Sequence, residues 1–205
     1  TQIAAITATQ LAAFSETNLA ALDAAQVAAL TTTQVKALTA TQIGALGAAD
    51  IAELTETQIA ALTTTQVQAL ADTSIAQLNE TQVQAFTATQ IARLGVATFA
   101  AFDAVQAAAL SNAQVQALTT SQVAALESTD IAEFTSGQIA AMTTTQIQAW
   151  TTTVIGELAD AQFTALAETQ IPVLTLAQLD QLATTNISAL ASTQIYAFTS
   201  TQVAS

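Results

Sequence analysis

The chain reads as an all-α protein, an α-solenoid of short two-turn helices with one helix to every eight residues. Three observations point there. First, from Thr7 onward the 205 residues fall into 24 consecutive octads with a partial one at each end, consensus T-x-T-Q-[IV]-x-A-L, and no insertion breaks the register. Fixed short periodicity of this kind marks a solenoid or array. Second, a continuous helix fails on geometry: eight residues turn about 800°, so the apolar stripe would drift about 80° per repeat, and the chain must bend once per octad. Third, position 1 carries a start signal. Of its 25 occurrences from Thr7 to Thr199, 19 are Thr, Ser, Asp, Asn or Gly, the residues that cap helix N-termini.

Each octad position then has a predicted job. In 12 octads Ser or Thr at position 1 is followed three residues later by Gln, as in Thr63 and Gln66, which predicts a capping box. Ala71, Ala159, Ala167, Ala183 and Ala191 lack a capping side chain. There the start is expected to slide to the Asp, Glu, Ser or Thr that follows within two residues. Positions 5 and 8, such as Val67 and Leu70, share one helical face, and Ala at position 7 widens it. Two large apolar residues cannot form a private core, and isolated two-turn helices melt in water, so neighbouring octads must stack. Pro172, at position 6, removes a helical hydrogen bond and predicts either a distorted helix or one short enough to tolerate it. A β-solenoid is the rival, favoured by the β-branched content. Apolar positions three apart and the capping pattern speak against it.

Position 6 bears on the number of octads per coil. Leaving out Pro172 and Ser188, its residues larger than Ala, including Lys36, Gln68, Gln84, Gln116 and Tyr196, fall in alternate octads, and all the aromatics but Phe14 follow the same parity. This predicts a 16-residue unit of two helices per coil, one bulky and one lean. The lean column of Ala60, Ala76, Ala92, Ala108, Ala124 and Ala140 would then line one side of the molecule as a lateral assembly face. The alternative is close packing of that helix within its own solenoid.

Composition limits the function. Only Lys36 and Arg93 are basic against 15 acidic residues, a net charge of −13, which argues against nucleic acids and anionic membranes as partners. There is no Cys and no His, so thiolate and imidazole metal sites do not arise. No apolar run approaches the ~18 residues of a membrane span. No signal peptide is visible, and residues 1–205 read as one continuous array cut from a longer repeat protein.

The best carboxylate constellations are Asp50 with Glu53 and Asp130 with Glu133, each spaced i, i+3, as cation ligands or an acid/base pair would require. The plainer reading is that position 4 accepts Asp in place of Gln and that Glu decorates a solvated face. Thr-x-Thr recurs, as in Thr39 and Thr41, and a flat Thr grid would suit ice or glycan. Against that, position-1 hydroxyls are expected to cap helices. Trp150 is expected in the core and Tyr196 in solvent. No catalytic, cofactor or metal residue is expected, and the chain is not expected to be an enzyme.

The phrases LTTTQVQAL (62–70), LTATQIGAL (38–46) and LTETQIAAL (54–62) resemble the LTxxQ[IV]xAL tandem repeats of very large, adhesin-like bacterial surface or secreted proteins. The resemblance covers the whole chain and implies an extracellular or cell-surface structural role. It brings no catalytic residues. Val154 in place of Gln, and Phe99 with Ala107, depart from the pattern without breaking register. The expected function is therefore a stalk, filament or adhesin spacer that packs against neighbouring repeats or self-associates. The alternative is a ligand-binding solenoid for ice or glycan.

Overall fold

The computed structural model describes residues 2–204. It comprises two compact units, Thr1–Ala109 and Leu110–Ser205. Among the described residues there are 24 α-helices, two 3₁₀ helices and no strand. The predicted all-α solenoid is what forms, with one helical element per octad. The helices run four to six residues, as in Thr64–Val67 and Thr32–Ala37, shorter than two turns.

The bend comes from two extended residues in succession. Position 8 leaves the helix, with Leu38 at φ −59°, ψ 140°. Position 1 follows at Thr39 with φ −72°, ψ 158°. Both angles lie in the polyproline region open to any L-residue, and among the described residues none has positive φ, glycines included. The turn therefore needs no special residue, which is why the register survives so many substitutions. Where Ser or Thr at position 1 is followed by Gln at position 4, the helix starts as its sequence predicts. Thr63 Oγ1 accepts from the Gln66 N–H at 3.2 Å, and Gln66 Oε1 accepts from the Thr63 N–H at 2.7 Å.

The starts do not slide where Ala occupies position 1. Ala71, Ala159, Ala183 and Ala191 remain the N-cap residues of their helices. At three of them position 4 supplies the other half of the box: the Ala191 N–H donates to Gln194 Oε1 at 2.8 Å, the Ala183 N–H to Asn186 Oδ1 at 3.0 Å and the Ala159 N–H to Gln162 Oε1 at 3.3 Å. At Pro172 the helix is distorted, reduced to a turn and the 3₁₀ segment Ile171–Val173.

The coil is larger than predicted. In the first unit, helix Ala8–Ala12 packs on Thr32–Ala37, that on Glu56–Ala61, that on Glu80–Ala85, and that on Ala104–Ala109. In the second, Asn112–Ala117 packs on Ser136–Ala141, and that on Asp160–Thr164. Helices in contact are three octads apart, not two. Side-chain hydrogen bonds between coils join residues 25 to 31 positions apart, so one turn takes more than three octads and fewer than four.

The 16-residue parity has a different cause from two layers. Three is odd, so a lean helix always meets a bulky one across the coil boundary. Gly44, in a lean octad, shows the fit: a Cβ there would lie 3.0 Å from the Ala69 carbonyl oxygen, in a bulky octad. Gly156 stands in the same relation to Gln181, at 3.2 Å.

The core consists of positions 5 and 8. Val67, Ile75 and Ile91 are fully buried, and Leu70, Leu78 and Leu94 nearly so. Trp150 joins them at position 8, and Tyr196 stands in solvent, as expected.

Candidate functional site

The chemistry of this molecule is concentrated at position 4, where sequence reading saw only half of the job. The Gln side chains there are not surface caps. From the second coil onward they are buried: Gln66 is 1% exposed, and Gln58, Gln106 and Gln146 are 2%. Each uses both ends of its amide. The oxygen closes the capping box of its own helix, while Nε2 turns to the coil before and donates to the backbone carbonyl at position 8 and to that at position 5, or at position 6 for Gln42, Gln82 and Gln194.

Gln66 Nε2 thus donates to the Val35 and Leu38 carbonyls, both at 2.7 Å. Gln106 does so to Ile75 at 2.8 Å and Leu78 at 2.7 Å. In the second unit Gln146 bonds Val115 at 2.8 Å and Leu118 at 2.7 Å, and Gln162 bonds Ile131 and Phe134, both at 2.8 Å.

The position-8 carbonyl is an orphan acceptor of the helix C-terminus, whereas the position-5 carbonyl already accepts from the position-8 N–H, as Val35 does from Leu38 at 3.2 Å. Burying the position-8 carbonyl unpaired would cost about 1–3 kcal/mol. One amide therefore satisfies an N-terminal donor in its own coil and an orphan acceptor in the previous one, with a second bond beside it. No other neutral side chain of this length offers an acceptor and two donors. A readable signal existed. Glu closes a capping box as well as Gln does, and Glu occurs eight times in the chain but never at position 4.

The carboxylates at Asp50 and Asp130 serve as local caps: Asp50 Oδ2 accepts from the Gly47 N–H at 2.9 Å, and Asp130 Oδ2 from the Glu127 N–H at 2.7 Å. One oxygen of Glu53 is buried without a hydrogen-bond partner. Among the described residues no cluster of three or more His, Cys, Asp or Glu side chains could hold a metal ion. The position-1 hydroxyls are engaged as capping acceptors, while Thr33, Thr65 and Thr145 at position 3 are exposed.

The lean column does not form one face. Ala60, Ala76, Ala108, Ala124 and Ala140 are exposed and Ala92 is half-buried. Their 16-residue spacing falls short of the 25–31 residues that separate stacked neighbours. Within each unit they therefore sit on different sides of the coil.

A family model described as the ALTTAQ repeat matches residues 3–40, 16–48 and 123–159. The chain is similar to that repeat over these stretches, which together span less than half of its length. No curated protein matches the chain. No described helix is long and apolar enough to cross a membrane. Geometry and matches agree on a tandem repeat protein built as a solenoid of short helices.

Proposed function

We propose that this array is an extracellular structural element, a stalk or adhesin spacer whose work is to carry load or distance through stacked coils. One observation supports this above the others: the most chemically capable buried side chain of most octads, the position-4 amide, is spent on joining one coil to the next. Catalysis has no part in the proposal, nor does a cofactor or nucleic acid. Membrane insertion by these residues is not part of it either. The cell-surface location rests on the resemblance to large secreted repeat proteins. Ice or glycan binding would have to use the exposed threonines at positions 2 and 3, such as Thr32 and Thr33, because those at position 1 are occupied.

Antibody against the 205-residue chain should label intact source cells, and external protease should remove the label. Labelling only after permeabilisation would overturn the extracellular reading.

A further inference from the structure

Position 4 has 25 occurrences from Gln10 to Gln202, and every one is Gln, Asn, Asp, Ser or Thr except Val154. In the octad just before it, Gln146 accepts from the Thr143 N–H at 2.7 Å and donates to the Leu118 carbonyl, also at 2.7 Å. The counterparts at Val154 are the Thr151 N–H and the Leu126 carbonyl, the latter 28 residues before it, as Leu118 is before Gln146. Neither group has a hydrogen-bond partner among the described residues. Thr151 keeps only the work of its hydroxyl, which accepts from the Val154 N–H at 3.2 Å. The helix itself, Thr152–Gly156, is in place.

Valine carries carbon no further than the γ position, so the volume that a carboxamide fills in regular octads is vacated here. It is also reachable from outside. An open concavity of about 370 Å³ is lined by Leu126, Glu127, Ser128, Thr151, Thr153 and Val154 among others, so both unpaired groups belong to residues of its wall. That volume lies within the roughly 300–1,000 Å³ of small-molecule sites. Leu126 and Val154 are buried and give it apolar wall, while Glu127 and Thr153 are exposed at the rim. A capping N–H alone would carry nothing, since such groups recur in every octad. Here it shares an open cavity with an unfilled acceptor, and Gln146 shows that one carboxamide spans the pair.

We propose that the Val154 gap binds a small molecule bearing a primary carboxamide, whose oxygen accepts from the Thr151 N–H and whose NH₂ donates to the Leu126 carbonyl. Functional-group chemistry selects that class. A carboxylate has no hydrogen for the Leu126 carbonyl and meets both its oxygen and the Glu127 charge with repulsion. An ammonium has no acceptor for the Thr151 N–H. A secondary amide has one hydrogen to give, where Gln146 spends two, on the Val115 and Leu118 carbonyls. The site lies inside the second unit and goes beyond the structural-array reading, on which it does not depend.

A ligand-observed NMR titration of the 205-residue chain with propionamide tests this. The parent should bind saturably, with half-saturation in the millimolar range, and sodium propionate should show no saturable binding. Val154→Gln fills the site from within and should weaken propionamide binding at least about tenfold. Thr151→Pro removes the N–H at a position already suited to proline, with φ −69° there and ψ 140° at Trp150. It should weaken binding by a similar factor, whereas Thr151→Ala, which keeps the N–H, should bind as the parent does. Circular dichroism should be unchanged in all three. A parent that does not saturate up to molar propionamide overturns the proposal, as does propionate binding equal to propionamide, or binding undiminished in Val154→Gln. If Val154→Gln loses the parent's dichroism, the Thr151 pair decides, and equal affinity of Thr151→Pro and Thr151→Ala overturns the proposal. Cell-surface labelling is independent of every one of these outcomes.

Discussion

Two octads of the second unit, separated by one regular octad, fail in opposite ways. Residues 151–158 keep their α-helix, Thr152–Gly156, but carry Val154 where Gln should stand. Residues 167–174 lose the α-helix to Pro172, yet Gln170 still closes the box to the Ala167 N–H at 2.6 Å and still reaches the Met142 carbonyl at 2.6 Å. Helix and inter-coil bond are therefore separable. Ile171 and Leu174 in the Pro octad are buried as deeply as in regular octads, and Ile155 and Leu158 in the Val154 octad are buried too, at 0 and 6% exposure. Beside Val154 there is an open concavity of about 370 Å³, lined by Leu126, Glu127 and Thr151 among others. Each octad keeps its place in the coil with one of the two features missing.

The sharpest way to break this comparison is to give a regular octad the Val154 defect in polar surroundings. Gln146→Leu strands the Leu118 carbonyl and the Thr143 N–H and leaves the Val115 carbonyl with only the Leu118 N–H, and should cost about 2–4 kcal/mol, seen as a lower urea midpoint. Gln146→Glu keeps the acceptor and loses the donors. It should be nearly as damaging if the inter-coil half of the amide matters more than the cap. A large gap between the two variants would reverse that ranking. Leu70→Ala sets the scale for pure core loss at about 2–5 kcal/mol, since Leu70 is 4% exposed.

Repair should have smaller effects in the other direction. Pro172→Ala allows a regular helix and should add about 1–2 kcal/mol with a small rise in helical dichroism. Val154→Gln restores the missing bonds and should add about 1 kcal/mol. If Val154→Gln destabilises instead, the apolar contacts of Val154 outweigh an amide there. Smallest of all, Gln68→Ala at exposed position 6 should stay within about 0.5 kcal/mol. A penalty equal to that of Leu70→Ala would mean the faces are misassigned.

Much of the fold was legible because it is local. Caps at position 1, the apolar pair at positions 5 and 8, and the distortion at Pro172 all depend on residues within one octad. The coil size was not legible, because it depends on what lies 25 to 31 residues away. The alternation at position 6 was a true signal of contact between unlike helices. Packing of lean on bulky produces it whenever the octads in contact are an odd number apart, so it could not separate one from three. The inter-coil amide was missed because a capping box already explained Gln66, and a residue with one sufficient job invites no search for a second. The preference for Gln over Glu at position 4 was the available clue.

The amide seam also makes array length a free variable for evolution. Gln66 recognises only backbone carbonyls, Val35 and Leu38, and every octad presents the same two. If unequal recombination deletes or duplicates eight residues, each downstream Gln meets a different octad but finds identical acceptors. Insertions of any other size would misplace the amide. The register of this chain, unbroken through 24 octads, is what remains when whole octads are the only change of length that leaves no buried carbonyl stranded.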